Sequence, residues 1–135
     1  MALAQAEPAF QLLYISKLAD DCDFSAMKEL VEVARRRNPL LGITGALLFD
    51  GERFCQLLEG GEPEVRTLMG RIAADPRHTR VRVLHAAQGS DGLVMDHWAS
   101  GYCEAHDLDV IDAACGVEMS LIAEFTAVLN RADIV

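Results

Sequence analysis

The sequence predicts an α+β sandwich in which helices cover a mixed, five-stranded β-sheet. Two observations carry this prediction: stretches with helical spacing alternate with short apolar runs, and one tight hairpin joins two of those runs. The chain has 135 residues, of which 51% are hydrophobic and 24% are charged. This composition is typical of one globular domain with a sizeable core, and it excludes a disordered or fibrous chain.

The charge balance and the cysteine pattern narrow the function classes. Twelve Lys and Arg residues against 21 Asp and Glu give a net charge of −9, which disfavours a nucleic-acid partner. No apolar run is long enough to span a membrane, and the N-terminal residues lack the features of a signal peptide. The four cysteines are widely spaced without a CxxC pair, so we expect reduced thiols in the cytoplasm.

A strand and a helix are predicted first. The apolar, aromatic run at residues 11–16 is typical of a strand. Residues 24–37 follow with apolar side chains at the helical spacing i, i+3, i+4 and i+7. Because proline restricts the backbone of the residue before it, we expect Asn38 and Pro39 to end this helix.

A hairpin is predicted next. Residues 42–49 and 53–59 are two apolar runs, and Asp50-Gly51 between them is a strong signal for a tight turn. The second of these runs is apolar on both faces, which indicates a central strand that is buried on both sides.

The second half of the chain completes the pattern. The predicted elements are, in order, a helix that begins at Pro63 and stops at Asp75-Pro76, strands at 81–87 and 97–103, and helices at 108–114 and 117–131, with a turn at 88–92. The order β-α-β-β-α-β-β-α-α follows the ferredoxin-like plan, with the first two helices on one face of the sheet. We expect the C-terminal helices on the opposite face.

Two polar side chains are expected inside this core. Gln56 lies in the middle of the third strand, and Tyr14 lies in the first strand, which is its neighbour in a ferredoxin-like sheet. A buried amide left without partners costs on the order of 1–3 kcal/mol. The two side chains could therefore simply satisfy each other, or they could share a third, polar partner.

Other chemistry-bearing residues have ordinary structural explanations. Asn38 could be only a helix-end residue, and Trp98, the single Trp, is of a type that is usually part of a core. His97, Cys103 and His106 match no firm metal-binding spacing, so no metal site is predicted.

Several short segments, in their order and spacing, resemble a known family. They are Tyr14-Ile15-Ser16, Arg37-Asn38, residues 44–47 (TGAL), residues 54–60 (FCQLLEG), residues 75–78 (DPRH) and Trp98. Together they resemble the BLUF family, the blue-light sensors that use FAD, over about residues 11–104. The Phe-x-Gln-x-Leu-Glu-Gly segment after the hairpin is the most specific part.

The resemblance implies a flavin between the two helices, with FAD as the expected cofactor and FMN or riboflavin as substitutes. It implies that Tyr14 donates an electron to the excited flavin and that Gln56 bridges Tyr14 and the flavin ring. The resulting change in hydrogen bonding shifts the absorption to the red and reverts in darkness. The flavin-binding residues implied by the resemblance are Tyr14, Ser16, Arg37, Asn38, Gln56, Arg77 and His78.

The resemblance also implies a route for the signal, with Trp98 and the residue two places later as a relay in the fifth strand. The family commonly has Met at this second place, and this chain has Ser100. This departure concerns the relay and not the binding of flavin.

The expected domain plan is a flavin-binding domain at residues 1–104 and a helical extension at 105–135. The extension carries an apolar stripe formed by Leu121, Ile122, Phe125, Val128 and Leu129. This stripe could cover only the sheet, or it could also form a homo-oligomer or partner interface. The expected function is a photoreceptor, not an enzyme, that signals to an unidentified downstream protein. The alternatives are a flavin-dependent oxidoreductase and a ferredoxin-like binding module without photoactivity.

Overall fold

The structure, a computed structural model, describes residues 9–89, 94–114 and 118–135. Its elements are β1 (Phe10–Leu18), α1 (Phe24–Leu40), β2 (Thr44–Phe49), β3 (Arg53–Gly60), α2 (Glu62–Ala74), β4 (His78–Gln88), β5 (Trp98–Tyr102), α3 (Ala105–Ala113), α4 (Glu118–Arg131) and β6 (Asp133–Ile134). The element ends that can be compared lie within three residues of the predicted ones. Most of the predicted turn at 88–92 lies outside the described residues, as do Val117 and the sequence before residue 9.

The sheet has the strand order β4-β1-β3-β2-β5-β6, so it is ferredoxin-like as predicted, but with six strands and not five. All neighbouring strands are antiparallel except β2 and β5. The additional strand, β6, has only two residues and pairs with the end of β5. A two-residue strand is too short to show an alternating pattern, so only long-range pairing could reveal it.

The central position of β1 and β3 explains why polar residues on them are buried. These two strands pair along their whole length, and Tyr14 lies directly opposite Gln56 in the register. Residues opposite each other on antiparallel strands point to the same face and lie within contact distance. The predicted neighbourhood of Tyr14 and Gln56 is therefore confirmed.

The prediction that Asn38 and Pro39 end α1 is wrong. The helix begins after Asp23, whose carboxylate accepts hydrogen bonds from two backbone N–H groups of the first turn, and it continues through Pro39 to Leu40. Proline removes only one backbone N–H donor from the helix. A tight turn follows it, in which the N–H of Leu41 donates a hydrogen bond to the carbonyl of Asn38 at 3.0 Å. The extra turn keeps Asn38 within the helix, where its side chain is fully buried.

The two faces of the sheet carry different helices. We call them the α1–α2 face, which bears Leu12, Tyr14, Phe54, Gln56 and Leu58, and the α3–α4 face, which bears Leu13, Ile15, Ala46, Leu48, Cys55 and Leu57. On the first, α2 packs through Val65, Leu68 and Ile72. The predicted placement of the helix pairs on opposite faces is confirmed.

The apolar stripe of α4 covers the α3–α4 face. Leu121, Phe125, Val128 and Leu129 are buried in one cluster with Leu108 and Ile111 of α3, and Ile122 packs partly against it. The outward side of α4 carries Ala123, Ala127 and Asn130, which are exposed. Most of the stripe therefore packs against the sheet and α3.

In the part of the chain that the structure describes, no helix is long and apolar enough to cross a membrane.

Candidate functional site

A cavity of about 100 Å³ lies between α1 and α2, above the centre of the sheet. Five of the residues that the sequence predicted for the site line it: Tyr14, Arg37, Gln56, Arg77 and His78. They come from β1, α1, β3 and the start of β4, so four elements that are distant in sequence converge here. The floor is otherwise apolar, with Leu47 and Phe54 contributed by the hairpin strands.

Tyr14 and Gln56 form a direct pair at the floor of this cavity. The Nε2 group of Gln56 donates a hydrogen bond to the Tyr14 hydroxyl oxygen, and the side chains are 3% and 0% exposed respectively. Burial raises the pKa of Tyr14 well above its ordinary value, and the hydrogen bond from Gln56 offsets part of this rise. The tyrosine is therefore neutral and holds its proton across the physiological pH range.

Two buried side-chain amide atoms have no hydrogen-bond partner in the described structure. They are Oε1 of Gln56 and Nδ2 of Asn38. Asn38 uses its other amide atom, since Oδ1 accepts a hydrogen bond from Nε of Arg37 at 3.2 Å. Unpaired buried polar atoms cost on the order of 1–3 kcal/mol each. The open acceptor of Gln56, which lines the cavity, indicates a ligand with a polar edge.

His78 closes the site on the β4 side. Its Nδ1 atom lies 2.9 Å from the Ser16 hydroxyl, and its ring contacts Phe54 with 5.0 Å between centroids and the edge of Tyr14 at 6.2 Å. Burial lowers the pKa of His78, although the nearby Asp75 carboxylate acts in the opposite direction. His78 is thus held neutral by the packing that places it against Tyr14.

Charged side chains surround the cavity mouth. Arg37 and Arg71 face it from the two helices, and burial together with the positive charge of Arg71 lowers the pKa of Arg37. Asp75 fixes Arg77, with Oδ2 of Asp75 at 2.8 Å from Nη2, and this pairing lowers the pKa of Asp75. Arg77 also lies 3.9 Å from the carboxylate of Glu29 on α1. The mouth therefore presents an excess of positive charge.

Sequence reasoning missed Arg71 and Asp75 as site residues. The spacing Asp-x-Arg at residues 75–77 was a usable signal, because a carboxylate two residues before an arginine can hold its guanidinium group. No comparable signal marks Arg71, which reaches the cavity only because α2 packs across β1 and β3.

The remaining predicted residues do not line the cavity. Ser16 lies behind His78, and Asn38 lies beside Arg37. Trp98 packs against two apolar clusters on the α1–α2 face, one that includes Leu58 and one that includes Leu47. Its buried Nε1 atom has no hydrogen-bond partner in the described structure. Ser100 is buried, accepts a hydrogen bond from Arg35 of α1 at 3.2 Å and donates one to the carbonyl of Val135 at 3.4 Å.

No metal centre accompanies the cavity: within residues 9–89, 94–114 and 118–135, no group of three or more His, Cys, Asp or Glu side chains could hold a metal ion. The chemistry available to the site is that of hydrogen bonds and proton-bearing side chains. The open acceptor of Gln56 in the Tyr14–Gln56 pair is its distinguishing feature.

Comparison with known proteins assigns this arrangement to a family. The model of the BLUF family, sensors of blue light using FAD, matches residues 9–98. The blue light- and temperature-regulated antirepressor BluF of Escherichia coli K12 is 43% identical over 70 residues, which is 52% of this chain and 17% of that protein. The photoactivated adenylate cyclase subunit beta of Euglena longa is 36% identical over 76 residues, 55% of this chain and 9% of that protein.

Solved structures also match the fold of this chain. A structure of Klebsiella pneumoniae BlrP1 with FMN and cyclic diGMP is 38% identical, with a TM-score of 0.57, and the match covers 61% of this chain and 22% of that one. The dark-state structure of the BLUF protein BlrB matches 93% of this chain and 97% of that one with a TM-score of 0.70, at 23% identity, and so supports the fold.

The match covers 17% or less of the length of the two relatives named above, so it concerns their sensor portion. The family model spans the cavity and all the elements that line it, from β1 through the start of β4. The chain therefore belongs to the BLUF family, the sensors of blue light using FAD.

Proposed function

We propose that this protein is a blue-light photoreceptor whose switch is the Tyr14–Gln56 pair. One observation carries the proposal: this buried pair lines a cavity, and the acceptor oxygen of Gln56 has no partner in the described structure. Membership of a family of blue-light sensors that use FAD supports the same conclusion.

The residues present fit a flavin. Its ring carries carbonyl acceptors and an N–H donor along one edge, which match the open Nδ2 of Asn38 and the open Oε1 of Gln56. Arg37, Arg71 and Arg77 at the mouth suit the phosphate groups of FAD or FMN. A bound flavin would supply the absorption of blue light and the capacity to accept an electron.

Tyr14 is placed to donate an electron and then a proton. Because its pKa is raised, the hydroxyl stays protonated in the dark and has a proton to give. Its oxygen accepts a hydrogen bond from Gln56, so the hydroxyl hydrogen can be directed to another acceptor. No other tyrosine lines the cavity among the described residues.

The side chain of Gln56 can hold the changed hydrogen-bond pattern after the electron and proton transfer. A primary amide has a donor end and an acceptor end of nearly equal size, so a rotation of the amide exchanges them without a change in packing. In the present orientation the donor end faces Tyr14 and the acceptor end is open. The rotated amide, or its tautomer, would accept from Tyr14 and present a donor to the flavin carbonyl, which would shift the absorption to the red.

Output through contacts with other proteins, and not catalysis, completes the proposal. Of the proton-bearing side chains at the cavity, His78 lies within hydrogen-bond distance of the Ser16 hydroxyl and Asp75 is paired with Arg77, so both have partners within the chain. Relatives in which the matching portion belongs to an antirepressor or a cyclase subunit support signalling to an effector.

We further propose a flavin domain at 1–104, an extension at 105–135 that supports a homo-oligomer or a downstream partner, and a cytoplasmic location.

The visible spectrum of the purified, flavin-loaded protein before and after blue light tests the proposal. We expect a yellow protein whose bands shift to the red in light and return in darkness. Tyr14→Phe and Gln56→Leu should each keep the flavin and lose the shift. A flavin-loaded sample without any shift would contradict the proposal, and flavin reduction by NADPH would favour an oxidoreductase.

A further inference from the structure

A second cavity, of about 370 Å³, lies where β1, β2 and β5 end and α1 begins. We call it the end cavity. Its volume is within the range of small-ligand and side-chain pockets. None of its lining residues lines the cavity between α1 and α2, so it has no part in the proposed flavin site.

Aromatic and aliphatic side chains form the walls of the end cavity. Leu18 ends β1, Phe24 begins α1, Phe49 ends β2 and Tyr102 ends β5. Backbone hydrogen bonds join these walls, from Leu18 N–H to the carbonyl of Glu52 at 2.8 Å and from Cys103 N–H to that of Phe49 at 3.0 Å. The cavity is therefore held open by the sheet and needs no rearrangement to accept a group.

Phe24 is the unexplained residue of the end cavity. Its side chain is 60% exposed at the first position of α1, although Phe49 beneath it is almost fully buried. A single exposed apolar side chain is ordinary at a protein surface, but Phe24 also forms part of the wall of a cavity. The face of such a ring attracts a cation positioned over it.

The charges around the end cavity are negative. Asp23 and Asp50 line it, and no Lys, Arg or His does. Asp50 is already bound to Arg53. One oxygen of Asp23 caps α1 and so compensates the positive end of the helix, and no described group binds the other oxygen.

The two thiols that line the end cavity are uncharged, since the pKa of each is raised, with desolvation as the largest cause. Burial raises the pKa of Cys103 to about 12, and the Asp50 carboxylate adds to this rise. The pKa of Cys22 is also raised, by desolvation and by Asp21. Both thiols therefore stay protonated and leave the carboxylates as the anionic groups of the cavity.

We infer that the end cavity is a docking site for an arginine side chain of a partner protein. A planar guanidinium group can stack on the Phe24 ring while it donates hydrogen bonds to the open oxygen of Asp23. The net charge of −9 would attract a basic partner surface over a longer range. A metal ion is not the occupant, since the described residues here form no metal-holding cluster.

The test uses the full chain and a tripeptide, acetyl-Gly-Arg-Gly-amide. Amide chemical shifts of Gly51 and Cys103, followed by NMR during a titration, should move and saturate. The same peptide with citrulline in place of arginine keeps the shape and the hydrogen-bond donors but lacks the charge, and we expect it to bind at least about fivefold more weakly. Bound tripeptide should also slow the alkylation of Cys103, read by mass spectrometry.

Phe24→Ala and Leu40→Ala form a matched pair of variants. Both side chains are exposed, at opposite ends of α1, at 60% and 86%, so neither substitution should unfold the protein. Phe24→Ala should weaken the binding of the tripeptide about threefold to fivefold, and Leu40→Ala should leave it unchanged.

Four results would overturn the inference, of which three concern the tripeptides and the Phe24→Ala variant. They are the absence of saturable shifts at Gly51 and Cys103, equal binding of the citrulline peptide, and an unchanged affinity in Phe24→Ala. A fourth is binding of free guanidinium ion as tight as that of the tripeptide, which would make the cavity a site for small cations and not for a partner. The test requires neither flavin nor light, so it can fail while the proposed photoreceptor function holds.

Discussion

Two buried polar side chains of β3, Glu59 and Gln56, point to opposite faces of the sheet and differ in their hydrogen bonding. On the α3–α4 face, the fully buried carboxylate of Glu59 accepts three hydrogen bonds at 2.9 Å each, from Nε2 of Gln11 and from the N–H groups of Val94 and Met95. On the α1–α2 face, Gln56, three residues earlier on the same strand, leaves its Oε1 atom without a partner. The carboxylate on one face is fully bonded within the chain, and the amide on the other face is not.

The difference shows how one strand can serve both stability and function. Alternate residues of β1 and β3 point to opposite faces, so Leu13, Cys55 and Leu57 can build an apolar core while Tyr14 and Gln56 line a cavity. The apolar face holds the sheet rigid, and that rigidity keeps the open donor and acceptor of the other face in position. Substitutions on the two faces should therefore have different signatures.

The largest effect is expected on the α3–α4 face. Phe125 is fully buried against the sheet, and Phe125→Ala should lower the free energy of unfolding by about 3–5 kcal/mol, because it leaves a cavity in the core. Urea unfolding measures the loss. Asn130→Ala, on the exposed side of the same helix, is the control and should change stability by less than about 0.5 kcal/mol. An equal loss in both variants would contradict the assignment of this face as the main core.

The second expected effect concerns Glu59. Glu59→Leu leaves three N–H donors without their acceptor, and we expect it to lower the free energy of unfolding by about 2–3 kcal/mol. The unfolding midpoint and the exchange rates of the Val94 and Met95 amides measure this. Exchange rates like those of the unsubstituted protein would show that the carboxylate does not hold this segment on the sheet.

Gln56→Leu provides the matched substitution on the α1–α2 face. Because one amide atom of Gln56 is unpaired already, this near-isosteric change should alter stability by less than about 1 kcal/mol. It should nevertheless abolish the light-induced red shift. A difference spectrum and an unfolding curve from the same preparation test both statements, and a stability loss as large as that of Glu59→Leu would remove the contrast between the two faces.

The smallest effect is a dependence of stability on pH that arises from His78. Its pKa in the folded protein is lowered from an ordinary value of 6.5, so as the pH falls through 6.5 the unfolded chain takes up a proton that the folded chain resists. Stability should therefore decrease as the pH drops below this value. His78→Gln should flatten that part of the profile. A profile that is unchanged in His78→Gln would contradict the burial of a neutral imidazole.

Much of the fold follows from local pattern. The helical spacing of α1 and α2, the Asp50-Gly51 turn and the apolar run of β3 predict the central elements and their order. The same pattern places Tyr14 and Gln56 inside, because a polar residue within a strand that is apolar on both faces must be buried. The ordered motifs were also sufficient to identify the family, which the family model matches over residues 9–98.

Other features depend on contacts between distant parts of the chain. The two-residue strand β6 exists because it pairs with β5, and α1 passes through Pro39 because burial of Asn38 and a tight turn offset one lost hydrogen bond. Arg71 enters the site because α2 crosses the sheet there. None of these leaves a local signature in the sequence.

The sequence by itself predicted that Tyr14 and Gln56 are buried, and the tertiary structure decided which buried polar atoms are left unpaired. Burial follows from the alternation of side chains along a strand, a local property. Pairing depends on which distant groups arrive beside each atom: Gln11 and the residue 94–95 backbone reach Glu59, whereas no described group reaches Oε1 of Gln56 or Nδ2 of Asn38. That difference in long-range packing leaves Glu59 fully bonded and Gln56 with an open acceptor.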